Sequence, residues 1–361
     1  MSARLLLAFL AVAYAAWPAF ARNEDGTLGL IQTPNNGLPA LVLAGDTFDV
    51  MLQTEATLRL VDTNGTAVPL EATLEARPGD TFAARCTVPP AAAPGTYGLV
   101  AEGNGRSDTN LRAVYVLPEF PEYYIAAHVT DTHVGSNRHP RPSEVIVAEV
   151  FQAVNTSEVD ICFVTGDLTD QGMPEQFRSF LELLDTCTMP TFVVPGNHDR
   201  QALNYEQYFG VLTYSFTYGR DGYLAFDSKD YLVADELGAQ DGELEKLRRE
   251  IKGARWSVGL THRYEPMMGI RSQLTLFVDN PLDVLLFGHW HHEPAEDQVV
   301  IPWGQTKWIV TPAAINGEFR LIDMTARGPL PRPAAKPGTT GAEVVPEPEP
   351  APAPTVEAEA E

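Results

Sequence analysis

Val159-Asp-Ile-Cys-Phe-Val-Thr-Gly-Asp167 and, further on, Thr191-Phe-Val-Val-Pro-Gly-Asn-His-Asp199 decide the fold. Each is a short apolar run, as expected of a strand buried on both faces, that ends in glycine followed by polar side chains. Between them residues 174–184 read as a helix with Pro174 at its first position. Working outward, residues 124–130 form another apolar strand ending at Asp131, and residues 143–154 a helix with Ser143 as N-cap. Strands alternating with helices imply an α/β sheet, where ligand sites collect at the carboxyl ends of the strands. Toward the C-terminus, residues 214–218 and 223–227 look like a hairpin and 242–251 like a helix. Residues 257–260 read as a strand leading to His262, 284–287 as a strand running into Gly288, and 307–310 and 319–322 as closing strands.

Five motifs lie at these strand ends in order: Asp131-Thr-His133, Gly166-Asp167, Gly196-Asn197-His198-Asp199, His262 and Gly288-His289-Trp290-His291. Two carboxylates, an amide oxygen and several imidazoles form a mixed oxygen and nitrogen set suited to divalent transition ions such as Mn, Zn or Fe. A Gly-Asp pair alone carries nothing and Gly-His-x-His little; the ordered set carries the assignment. Gly166, Gly196 and Gly288 stand at sharp turns where a Cβ could clash. A lone histidine is more often a satisfied core group than a ligand, but its spacing places His262 among the ligands. His128, inside an apolar strand, reads as packing, and His139 and His292 fall outside the pattern. Arg200, Arg263, Tyr264 and Trp290 are candidate cleft residues, Arg200 equally a structural ion pair.

This ordered set resembles the calcineurin-like metallophosphoesterase superfamily over residues 122–325. The resemblance implies a four-layer αββα sandwich, two mixed sheets flanked by helices, with metals at one edge. It implies that Asp131, His133 and His291 hold one divalent ion, that Asn197, His262 and His289 hold a second, and that Asp167 bridges both. The implied reaction is in-line attack on phosphorus by a metal-bridging hydroxide, without a covalent phosphoenzyme. His198 matches the histidine that donates to the transferring oxygens or protonates the leaving group, and Asp199 the carboxylate that orients it. Two departures bear on this. The purple acid phosphatase branch lacks the first-motif histidine and has a tyrosine three residues after the bridging aspartate. Here His133 is present and Asp170 takes the tyrosine's place, so no iron–tyrosinate site is expected. His262-Arg-Tyr-Glu-Pro266 also departs from many relatives and alters the surroundings of the ligands rather than the ligands.

The rest of the chain sets the context. Arg4, an apolar run over residues 5–16 and Ala19-Phe20-Ala21 read as a secretory leader spanning residues 1–21, so the mature protein is expected to begin at Arg22 and to be exported, periplasmic or extracellular. That run falls short of the roughly 20 residues needed to span a bilayer, and no later stretch serves as a transmembrane segment. Residues 22–118 read as a small all-β sandwich, immunoglobulin-like, with turns at Asn64-Gly65 and Pro78-Gly79 and a corner tyrosine, Tyr97, near a strand start. Residues 117–121 look like a linker. Residues 328–361, rich in Pro, Ala and Glu, are expected to be a disordered tail. A net charge of -23 argues against nucleic acid as a partner. Two divalent ions would still give a locally positive site for a small phosphorylated substrate. Of three cysteines, Cys162 and Cys187 could approach one another, although buried free thiols are favoured; Cys86 is left over. The sequence sets no oligomeric state. The expected function is an exported dinuclear metal-dependent phosphoesterase acting on a phosphomonoester or small phosphodiester. The alternative is a surface-binding protein that uses the domain as a non-catalytic scaffold, against which stands the presence of every ligand and of His198.

Overall fold

The computed structural model describes residues 22–23, 25–79, 81–201, 203–231, 239–295 and 305–338. The expected leader and the stretch from residue 339 onward lie outside them.

Nine strands come first: β1 Ile31–Thr33, β2 Ala40–Leu43, β3 Thr47–Leu52, β4 Thr57–Asp62, β5 Ala67–Pro69, β6 Glu71–Arg77, β7 Thr81–Thr87, β8 Gly95–Gly103 and β9 Arg106–Leu117. They form two sheets, ordered β1-β3-β7-β6 and β2-β9-β8-β4-β5. Alternation builds the sandwich. In β3, Phe48, Val50 and Leu52 point inward while Thr47, Asp49 and Met51 face water, because successive side chains of a strand lie on opposite faces. Val50, Leu60, Leu99 and Val114 meet in the core. Asn104 and Gly105, both with positive φ, turn β8 back into β9 as a hairpin of this twist requires. The Tyr97 hydroxyl donates to the Ala93 carbonyl at 2.7 Å, tying down the corner.

The second part runs β10 Tyr124–Val129, α1 Ser143–Asn155, β11 Ile161–Thr165, α2 Pro174–Leu184, β12 Thr191–Val194, α3 Asn204–Phe209, β13 Tyr214–Tyr218, β14 Asp221–Ala225, α4 Ala239–Glu250, β15 Ser257–Leu260, α5 Ile270–Phe277, β16 Val284–Phe287, β17 Lys307–Val310, β18 Arg320–Thr325 and β19 Gly328–Pro331. Its sheets are ordered β12-β11-β10-β18-β19 and β13-β14-β15-β16-β17. Strands β10 to β12 are parallel, as are β14 to β17. Between the sheets Phe163, Phe192, Tyr223, Leu260 and Leu286 pack into one core. Phe151, Phe177 and Phe180 of α1 and α2 cover the outer face of the first sheet. Leu244, Leu276 and Phe277 of α4 and α5 cover that of the second. The four layers αββα follow directly, and β11, β12, β15 and β16 are continuous apolar runs because both their faces are buried. Helix α2 buries Phe177, Phe180, Leu181 and Leu184, one stripe of a 3.6-residue period.

Three expectations change. Ser143 is not the cap of α1; Pro142 takes that position, and the Ser143 hydroxyl accepts the Gly135 N–H at 2.9 Å. Residues 328–338 do not belong to a disordered tail. Strand β19 pairs with β18, Ala335 exchanges backbone hydrogen bonds with Phe319, and Arg332 pairs with Asp323. Composition misled there, since Pro329 and Pro331 are tolerated on an edge strand. Nor is the sandwich merely tethered. Gly37 bridges in parallel to Phe192, Val193 N–H donates to the Gly37 carbonyl at 2.8 Å, and the Arg22 guanidinium donates to the Tyr208 carbonyl at 2.5 Å. The sandwich thereby covers the free edge of β12. All three cysteines are buried and free. No helix among the described residues is long and apolar enough to cross a membrane.

Candidate metal centre

Asp131 follows β10, Asp167 follows β11, Asn197 follows β12, His262 follows β15, and His289 and His291 follow β16. The carboxyl ends of parallel strands from both sheets therefore open onto one volume. Turning these side chains inward requires unusual backbone: Asp131, His133, Asp167, His289 and His291 all have φ between 43° and 71°, a left-handed region uncommon outside glycine. Close packing of the loops explains two of the glycines. A Cβ on Gly196 would lie 2.1 Å from the Asp167 nitrogen, and one on Gly288 1.9 Å from the Thr130 hydroxyl.

Three donor sets result among the described residues: Asp131 with His133 and His291, Asp167 with His262 and His289, and His133 with Asp170 and His198; the first two hold the expected ligands. In the first, His133 Nε2 and His291 Nε2 lie 3.1 Å apart, and His291 Nε2 is 3.2 Å from Asp131 Oδ1. In the second, His262 Nε2 is 3.1 Å from His289 Nδ1 and 3.2 Å from Asp167 Oδ2. That Asp167 oxygen is also 3.7 Å from His133 Nε2, so it stands between the sets. Asp131 Oδ1 and Asn197 Oδ1 are buried without a hydrogen bond among the described residues. A buried oxygen left unpaired is costly unless a cation or donor meets it. The donors thus fit metal ions in type and in need.

The outer contacts hold the ligands. Asp131 Oδ2 accepts from the Thr130 hydroxyl and the His289 N–H, each at 2.8 Å. His262 Nδ1 donates to the Thr165 carbonyl at 3.0 Å, which leaves the Nε2 lone pair for a metal. Burial disfavours charge on His262, but Asp167 and Asp131 override it and lift the imidazole to about 9. Burial instead holds His133 and His289 down at about 4. Without metal, the aspartates draw protons onto His262 and His291; a divalent cation would displace them.

His198 directs Nε2 toward the centre, 3.9 Å from Asp167 Oδ2, while its Nδ1 donates to the Asp170 carbonyl at 2.5 Å. Asp199 does not orient it, contrary to expectation. Its carboxylate accepts the N–H groups of Leu168, Thr169 and Gly196 and the Thr169 hydroxyl at 2.8–3.0 Å, pinning the loop after β11 to the loop after β12. The sequence reading missed Asp170 as a positioning group. Besides holding His198 it faces His133 Nδ1 at 3.5 Å and pairs with Arg138 at 2.9 Å. Its signal was the second aspartate in Gly166-Asp-Leu-Thr-Asp170.

His128 is core, as expected, bonded at 2.7 Å to the hydroxyls of Thr165 and Thr311. Arg200 is a structural partner of Asp227. His292 is exposed and His139 half-buried, neither within a donor set. Arg263, Tyr264 and Trp290 line a pocket against His289.

Residues 126–293 match the family model for calcineurin-like phosphoesterases. The chain is 26% identical over 196 residues to a 3',5'-cyclic-nucleotide phosphodiesterase of Nostoc sp., covering 46% of this chain and 71% of that protein. It is 27% identical over 178 residues to a probable glycerophosphodiester phosphodiesterase of Arcobacter nitrofigilis, covering 48% of this chain and 58% of that protein. Among solved structures, a purple acid phosphatase from yellow lupin seeds aligns with 77% of this chain and 68% of its own at a TM-score of 0.48 and 15% identity.

Proposed function

We propose, from the premise that this chain carries a calcineurin-like phosphoesterase domain and is a metal-dependent phosphoric ester hydrolase, that it is an exported phosphodiesterase working with two divalent ions. The observation that carries the reading is the convergence of two donor sets on either side of Asp167 Oδ2. Asp131, His133 and His291 would hold one ion, Asn197, His262 and His289 the other, with Asp167 shared. When bound, such ions polarise a phosphoryl group and lower the pKa of a coordinated water; the mixed donors suit Mn, Zn or Fe. In this reading His198 acts on the leaving group, which its Nε2 beside Asp167 supports. With Nδ1–H committed to the Asp170 carbonyl, its Nε2 carries a transferable proton only as imidazolium, which suits a general acid.

The activities for which the relatives are named favour a diester over a monoester, and the acidic composition favours a small substrate over nucleic acid. Export is supported by the leader-like first 21 residues. An immunoglobulin-like assignment for the sandwich is supported by its two packed sheets and the Tyr97 corner. The non-catalytic scaffold reading gains nothing, since no donor is missing.

Hydrolysis of bis-p-nitrophenyl phosphate and p-nitrophenyl phosphate by protein beginning at Arg22, with Mn, Zn, Fe or Mg, tests this. Preferential diester turnover is expected. Preferential monoester turnover would make the protein a phosphatase, and no turnover with metals demonstrably bound would return the scaffold reading.

A further inference from the structure

Beside the metal centre lies a pocket of about 430 Å³ walled by Arg263, Tyr264, Glu265, Pro266, His289 and Trp290, within the size range of small-ligand sites. We infer that it receives a planar aromatic group, a nucleobase or aryl ring, carried by the ester whose phosphorus sits at the metal centre; the inference rests on the phosphodiesterase reading.

His289 is a wall of both the pocket and the metal centre, so one ligand can occupy the two together. Trp290 cannot shift freely, because both its neighbours are held. His289 N–H donates to Asp131 Oδ2 at 2.8 Å, and the His291 carbonyl accepts from Asn316 at 3.2 Å. The backbone that carries the indole is thus rooted between two candidate metal ligands. The Tyr264 ring is fixed edge-on to Phe277 with centroids 5.8 Å apart, and its hydroxyl is buried without a hydrogen-bond partner among the described residues. Arg263 pairs with Glu265 at 2.8 Å. The pocket wall therefore neutralises its own cation, which disfavours a second phosphate there and favours an uncharged ring. Aromatic side chains of this kind stack bases without needing a sequence of hydrogen bonds.

Calorimetry on the metal-loaded full mature protein with adenosine 5'-monophosphate and with glycerol 3-phosphate tests it. The adenosine ester is expected to bind about ten-fold tighter, since stacking one base typically contributes that much or more. Trp290→Ala and Trp290→Leu should erase the preference and Trp290→Phe retain most of it. Metal content is measured for each variant. Should the alanine variant lose metal, the leucine and phenylalanine variants decide. Equal binding of both esters by the unaltered protein, or a preference that survives Trp290→Ala, overturns the inference. Turnover is read separately. Lost diester hydrolysis with the preference intact would remove only the phosphodiesterase reading, and intact hydrolysis with equal binding would remove only the pocket.

Discussion

Among the described residues of the N-terminal sandwich, from β1 to β9, the non-glycine ones with left-handed backbone are Asn104, in a hairpin turn, and Arg112, near the irregular pairing of β8 with β9. In the αββα layers they are Asp131, His133, Asp167, His289 and His291, together with Glu158. The first pair serves chain reversal and sheet closure. The second group, Glu158 apart, serves the orientation of donors. Each such residue costs of order 1–3 kcal/mol, and the layers can carry several together because the loops are over-determined. Asp131 N–H bonds the Gly166 carbonyl, His133 N–H the Asp167 carbonyl, and Gly288 N–H the His262 carbonyl, at 2.9–3.0 Å. Both regions obey the same burial rule, but only one stores strain at a common point, and that point is where the donors meet.

Four perturbations would break or sharpen this contrast. If Asp167 is shared by two ions as proposed, Asp167→Asn, in the strained region, should lower diester turnover by about 1,000-fold, since such a ligand supports several kcal/mol of transition-state stabilisation; turnover within ten-fold of the parent would deny Asp167 its central place. Stripping metal should destabilise the layers by about 2.7 kcal/mol relative to protein held at a hundred times the metal dissociation constant. Calorimetry should show the loss in the unfolding of the layers, and an unchanged transition would mean that the strained loops gain nothing from a cation. Asp199→Ala removes the carboxylate joining two ligand loops and should weaken metal affinity by roughly 10–100-fold. A shifted pH profile with full metal affinity would instead restore Asp199 as a partner of His198. Smallest is Tyr97→Phe in the sandwich, which removes one hydrogen bond and should cost about 1 kcal/mol in denaturant unfolding. Turnover should stay as it was; a fall would show that the sandwich conditions the site.

Much of the fold and most of the site are legible in the sequence. Strands β10, β11, β12, β15 and β16 are apolar runs ending in motif residues, and apolar runs of that length are their own signal. The features that are not legible share a cause. The partners of Asp199 are backbone N–H groups of another loop, and backbone groups look alike at every position in a sequence. Strand β19 hides in a proline-rich composition because its pairing depends on an available edge of β18. The bridge from Gly37 to β12 likewise joins segments that share no local pattern.

By itself, then, the sequence determined the chemical type of every donor and its station at the end of a strand, because side-chain chemistry and hydrophobic periodicity are local properties. Only the tertiary structure decided which donors face one another. Asp131 and Asp167 belong to one sheet, His262, His289 and His291 to the other, and they meet because Phe163, Phe192, Tyr223, Leu260 and Leu286 bury the two sheets against each other. That burial is non-directional and scales with area, so it leaves no local pattern in the chain that names the partner.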